Sequence, residues 1–106
     1  MNETAKIREL NDAFRTTFVG GRVVATAGVA NLPNLNEVLR RVREYTDFSP
    51  EKDPHHEHDF GNFELNRQTI FWKVDYYTHD LDEGSSDPAD EAITARVLTI
   101  MLSSEY

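Results

Sequence analysis

Three histidines fall within four residues, in the run Pro54-His55-His56-Glu57-His58-Asp59. Imidazole nitrogens beside carboxylates are the ligands that zinc, manganese and iron accept. With His55, His58 and Asp59 as ligands, and Asp75 or His79 approaching across a hairpin, the run would make a small metal-dependent enzyme. Zinc sites usually add a second ligand pair at a diagnostic spacing, and the sequence shows none. A solvated, polar approach to a strand is the plainer reading of these residues. The identity of any cofactor stays open.

A second constellation is acidic. Asp80, Asp82, Glu83, Asp87 and Asp90 crowd into residues 78–91. Hard oxygen ligands of this kind suit calcium or magnesium. Asp80 and Glu91 even match the first and last positions of an EF-hand loop. Gly84 falls one residue too early for that motif, and the expected flanking elements are strands, so the match is coincidental. The alternative is an acidic surface that meets a basic protein.

The third set is aromatic: Phe60, Phe71, Trp72, Tyr76 and Tyr77. Aromatics on a strand can stack on nucleic-acid bases, but such platforms sit in positive fields. Here only Arg67 and Lys73 are near, among many carboxylates. Core packing is expected for Trp72. Phe71 and Tyr77, on the opposite row, become candidates for contact with a protein partner. Gly-x-Ser-x-Gly and phosphate-binding glycine motifs are absent. There is no cysteine, which excludes disulfides, zinc-thiolate sites and a thiol nucleophile.

The elements that must position these residues follow from hydrophobic spacing. Ile7, Leu10, Phe14 and Phe18 form one apolar stripe, so residues 3–18 read as a helix that Gly20-Gly21 breaks. Residues 22–29 are rich in β-branched side chains and read as a strand. Leu35, Val38, Leu39, Val42 and Tyr45 predict a second helix over 34–46, with Asn34 and Glu37 in capping-box spacing. Arg40, Arg41 and Arg43 complement its C-terminal dipole. Pro50 and Pro54 mark 46–57 as a loop. Strands are expected over 58–65 and 69–77, joined at Asn66-Arg67, and over 93–102. Phe63 and Leu65 then share a face with Ile70, Trp72 and Val74, and Gly61 makes room for Trp72. The 106 residues fit a single α+β domain: an antiparallel sheet of about four strands with two helices packed on one face.

Charge is unevenly placed within the net −8. Residues 1–45 hold five acidic and seven basic groups; residues 46–106 hold fourteen and four. That field repels free nucleic acid and attracts basic surfaces. No apolar run approaches the ~20 residues that cross a bilayer. The charged N-terminal residues lack the apolar core of an export signal, and a cytoplasmic protein is expected.

Several segments carry a family resemblance: Phe-Val-Gly-Gly-Arg-Val-Val-Ala-Thr-Ala-Gly-Val (18–29), Glu-His-Asp-Phe-Gly (57–61), Phe-Trp-Lys-Val-Asp-Tyr-Tyr (71–77), Asp-Pro-Ala-Asp (87–90) and Arg-Val-Leu-Thr-Ile-Met-Leu (96–102). Together they resemble a domain-of-unknown-function family common in alphaproteobacteria and often encoded on plasmids and mobile elements, near plasmid-maintenance and antirestriction genes. The chain departs from that pattern at His56, where the family has glycine. The resemblance brings no catalytic residue with it.

The leading expectation is a non-enzymatic, acidic protein-binding domain that acts on a basic, nucleic-acid-binding partner. The resemblance suggests a counter-defence inhibitor of the anti-CRISPR or antirestriction type. The partner contacts would be Asp80, Asp82, Glu83, Asp87, Asp90, Phe71 and Tyr77. No direct nucleic-acid or membrane contact is expected. The alternatives are the metal-dependent enzyme of His55, His58 and Asp59, and a homo-oligomeric structural or regulatory module.

Overall fold

Alternation of apolar and polar side chains along residues 60–77 builds a hairpin, and that hairpin organises the rest of the chain. The computed structural model describes residues 2–106. In it, strand β2 (Phe60–Leu65) pairs antiparallel with β3 (Gln68–Tyr77), Phe63 lying opposite Ile70 and Gly61 opposite Trp72. The connection is the two residues Asn66 and Arg67, both with positive φ (51° and 68°). Such a turn matches the right-handed twist of the strands but favours glycine at its second position. Arg67→Gly is therefore expected to stabilise the hairpin by up to about 1 kcal/mol, read as a rise in melting temperature.

Strand β4 (Ala95–Leu102) adds antiparallel to β3, as the meander requires, with Trp72 opposite Ile100. The early strand departs from expectation. β1 (Arg22–Ala25) joins the free edge of β4 in parallel, giving the order β1-β4-β3-β2. The sheet is mixed, not antiparallel throughout. The cause is the long helical connection after β1, which carries the chain to the far edge of the sheet and starts β2 in the same direction as β1.

β1 is also shorter than the predicted 22–29. Its last ladder pair is Ala25 with Ile100, and the chain then turns into a single helical turn, α2 (Ala27–Ala30). The Glu105 carboxylate draws it there, accepting from the Thr26 hydroxyl and from the backbone N–H groups of Gly28 and Leu102. Gly28 lies so close to Leu102 and Glu105 that a Cβ would sit 2.7 Å from each. Glu105 belongs to a short 3-10 turn, Ser103–Glu105.

The two long helices stand near their predicted places. α1 (Glu3–Thr17) is capped by Asn2, whose Oδ1 accepts from the Ala5 N–H at 2.7 Å, and it ends at Phe18 in the left-handed region. α3 (Leu35–Arg43) starts at Asn34, but the predicted capping box does not form. Asn34 makes no side-chain cap, and Glu37 instead pairs with Arg40, one turn on. An ion pair within the helix competes directly with the capping geometry.

Phe14 of α1, Val38 and Val42 of α3, and Val29 of α2 meet Phe63, Ile70, Trp72, Val74, Leu98 and Ile100 in one core. The helices thus cover one face of the sheet. On the other face, Phe71 lies opposite Met101, and Lys73 opposite Thr99. The Tyr106 side chain folds over part of it, edge-on to Phe71 and Phe60 at 5.1 and 6.1 Å between ring centroids.

Candidate functional site

The polar chemistry of the chain collects where α1 faces the 46–59 loop and the ends of β3 and β4. Asn11 is fully buried there. Its amide donates to the Glu57 carbonyl (3.0 Å) and the Tyr76 hydroxyl (2.8 Å), and its oxygen accepts from Arg96 Nε (2.7 Å). The Tyr76 hydroxyl donates in turn to the Glu57 carboxylate at 2.7 Å. Arg96 also donates to the Pro88 carbonyl and lies 5.2 Å from the Tyr76 ring centre. Burial raises the Tyr76 hydroxyl pKa and lowers that of Arg96. One network therefore ties α1, the histidine loop, two strands and the acidic loop together.

A second network runs beside it. Arg15, almost wholly buried, donates to the carbonyls of Val42 and Arg43 at the end of α3, and to Asp12. These are carbonyls of the last turn, which a helix C-terminus leaves without their i+4 partners. The guanidinium sits 5.3 Å from the ring centres of both Phe48 and Trp72. Asp12 holds His58 Nδ1 at 2.9 Å, and the His58 ring stacks on Phe48 with centroids 3.7 Å apart. On its other side Nε2 lies 3.6 Å from Asp53, which is 2% exposed and also accepts the His58 backbone N–H.

This arrangement separates the residues expected to bind a metal. His58 is held inward between Asp12 and Asp53. His55 is exposed and, with Asp59, lines a different hollow on the other side of the loop. Among the described residues, no group of three or more His, Asp or Glu is arranged to hold a metal ion. His56, with φ 58°, occupies the backbone region that glycine favours.

Asp59 differs from the other carboxylates. It is half-buried, and burial raises its pKa, with Glu57 adding to the rise. Protonation is thus easier in the folded chain. The associated stability is present below the ordinary pKa of 3.8 and is lost as pH rises through the folded value. Asp59→Asn is expected to raise the melting temperature at neutral pH and to leave it unchanged at pH values below 3.8, as thermal melts across pH will show.

The acidic loop is built rather than loose. Tyr77 bridges to Gly84, and the Thr78 N–H donates to the Glu83 carbonyl. Asp80 accepts from the Thr78 hydroxyl, Asp87 from the Ala89 N–H and Asp90 from the Ala92 N–H. Thr94 anchors the loop through the Ser85 hydroxyl and the Asp87 carbonyl. Asp80, Asp82, Glu83 and Asp90 are exposed as expected, but Asp87 is half-buried. The carboxylates of Asp80, Asp87 and Asp90 hold the loop's own shape, the usual use of Asp in tight turns. The bridge at Tyr77 joins this loop to the uncovered sheet face, where Phe71 and Tyr77 are both half-buried.

Sequence reasoning missed Asn11, Asp12, Arg15, Asp53, Tyr76 and Arg96 as a connected set. Partners up to 85 positions apart are not visible in local spacing. The one signal on offer was the polar pair Asn11-Asp12 interrupting the apolar stripe of α1.

Among the described residues, no helix is long and apolar enough to cross a membrane. No curated protein and no solved structure shows significant similarity to the chain. Residues 24–105 match the sequence profile of a family described as protein of unknown function, DUF3768. The match covers the second half of β1, the other three strands, α2, α3 and both loops, and the chain accordingly belongs to the DUF3768 family.

Proposed function

We propose that the protein is a non-enzymatic binding domain that presents an acidic loop and an adjoining aromatic sheet face to a basic protein partner. The observation that carries this reading is the continuity between the two. The outward row of β3 runs Phe71, Lys73, Asp75, Tyr77 and passes directly into the loop that holds Asp80, Asp82, Glu83, Asp87 and Asp90. Lys73 is paired with Asp75 at 3.0 Å, which leaves the field of this region negative. Aromatic rings beside carboxylates supply what a protein interface needs: desolvated contact area and steering charge.

A basic partner in this setting is a protein whose own ligand is nucleic acid. Carboxylates spaced on a rigid loop would occupy the positions that phosphates take. The resemblance to alphaproteobacterial proteins of plasmids and mobile elements points the same way. The partner would be a host defence component, and the domain an inhibitor of the anti-CRISPR or antirestriction type.

The test is a pull-down from the native host with two baits, followed by mass spectrometry and nucleic-acid analysis of what is retained. One bait is the wild type. The other carries Asp80→Asn, Asp82→Asn, Glu83→Gln, Asp87→Asn and Asp90→Asn, which keep the acceptor oxygens of the turns and remove only charge. A basic protein retained by the first and lost by the second is expected. Retention of bare nucleic acid by the wild type overturns the reading.

A further inference from the structure

Building on the proposed protein-binding role, we infer that the hollow between Asp59, Phe60 and Tyr106 is a subsite for an arginine side chain of the partner. The hollow holds about 290 Å³ and opens beside the uncovered sheet face. Its cations are already neutralised: Lys73 lies 3.0 Å from Asp75, and Lys52 lies 2.7 Å from Asp47. Asp59 is the carboxylate left over. Among the described residues, its side chain forms no salt bridge and no hydrogen bond to another residue's side chain. Phe60 and Tyr106 stand roughly at right angles, 72° between ring planes, and form aromatic walls of the same hollow.

One unpaired carboxylate offers too few ligands for calcium or magnesium, which take six or more oxygens, or for zinc, which takes four ligands. It does match a single organic cation. A guanidinium is planar and weakly hydrated; it pairs with a carboxylate through parallel N–H groups and stacks on aromatic faces. Guanidinium groups also stand over aromatic rings within the chain, where Arg41 covers Phe63 at 4.8 Å and Arg43 covers Phe18 at 5.1 Å. A carboxylate held half-buried without a partner is costly in the free protein, and an incoming cation relieves that cost.

The experiment is an NMR titration of the full chain with acetyl-Gly-Arg-Gly-amide and with its citrulline counterpart, which has the same shape and no charge. The expected result is saturable shifts of the Phe60 and Tyr106 rings and of Asp59 with the arginine peptide, and binding at least tenfold weaker for the citrulline peptide. Asp59→Asn and Tyr106→Ala should each abolish the saturable response while the remaining amide spectrum stays native. Equal response to citrulline, or full binding by Asp59→Asn, overturns the subsite. Shifts confined to residues 78–91 overturn the subsite and leave the acidic-surface reading standing. Arginine binding in the hollow, combined with partner capture indifferent to the neutralised loop, keeps the subsite and overturns that reading instead.

Discussion

Trp72→Ala is expected to destabilise the protein by about 3–5 kcal/mol, the usual result of emptying a large buried aromatic site. Trp72 is 0% exposed and belongs to the central core cluster. Tyr45 packs edge-on against it at 5.4 Å, Phe48 at 6.2 Å, and the Arg15 guanidinium at 5.3 Å. Gly61 lies opposite on β2, and a Cβ there would come within 2.5 Å of the indole nitrogen and 2.6 Å of the Tyr45 ring. The loss would take a large share of the roughly 5–15 kcal/mol that holds a domain of this size together. Trp72→Phe should cost much less, because the indole N–H is buried with no hydrogen-bond partner among the described residues and phenylalanine removes it. Gly61→Ala should be strongly destabilising in the wild type and milder in Trp72→Phe, since the side chain it strikes is then smaller. Denaturant melts of the three single variants and the pair measure this coupling.

Asn11→Ala is expected to cost about 3 kcal/mol or more, although only a small side chain is lost. Asn11 satisfies three partners at once, and its removal leaves the buried Arg96 Nε facing an empty acceptor position. Arg96 is 4% exposed, and a buried donor left unsatisfied costs about 1–3 kcal/mol, more when it is charged, on top of the other two hydrogen bonds lost. Replacing both residues with apolar ones of similar volume, Asn11→Leu with Arg96→Met, should recover part of the loss. A double-mutant cycle on unfolding free energy checks it. Additive losses would mean that the two side chains act independently.

Period and turn chemistry made most of the layer structure legible. Alternation along residues 60–77 and the pair Asn66-Arg67 announced the hairpin and its register, because a one-residue slip would expose Trp72 and Ile70. Gly61 was readable for the same reason: only a missing side chain lets Trp72 lie flat against β2. The direction of β1 was not readable. It depends on where the helices deliver the chain, and nothing in Arg22–Ala25 distinguishes a parallel from an antiparallel neighbour. The end of β1 was hidden too, since it is set by Glu105, 79 positions from Thr26. The capping box at Asn34 failed because Glu37 had a better partner in Arg40.

The site was legible only in outline. The run of histidines drew attention to the right loop, but its side chains point to opposite sides, and His58 belongs with Asp12 and Asp53. The acidic loop was visible from composition. Its internal hydrogen bonds were not, and they change how it should be mutated: alanine at Asp87 or Asp90 would undo a turn, whereas asparagine removes charge alone.

The most direct test of the proposed acidic docking surface is the association rate of the captured partner, followed by stopped-flow across a series of salt concentrations. Wild-type association should slow steeply as salt rises, because exposed charges are screened beyond about 8 Å at physiological ionic strength. The Asn and Gln variant of the 78–91 loop should associate more slowly, depend less on salt, and melt close to the wild type. A rate that ignores both salt and the neutralised loop would contradict the account, as would a tight, salt-sensitive complex with bare DNA or RNA.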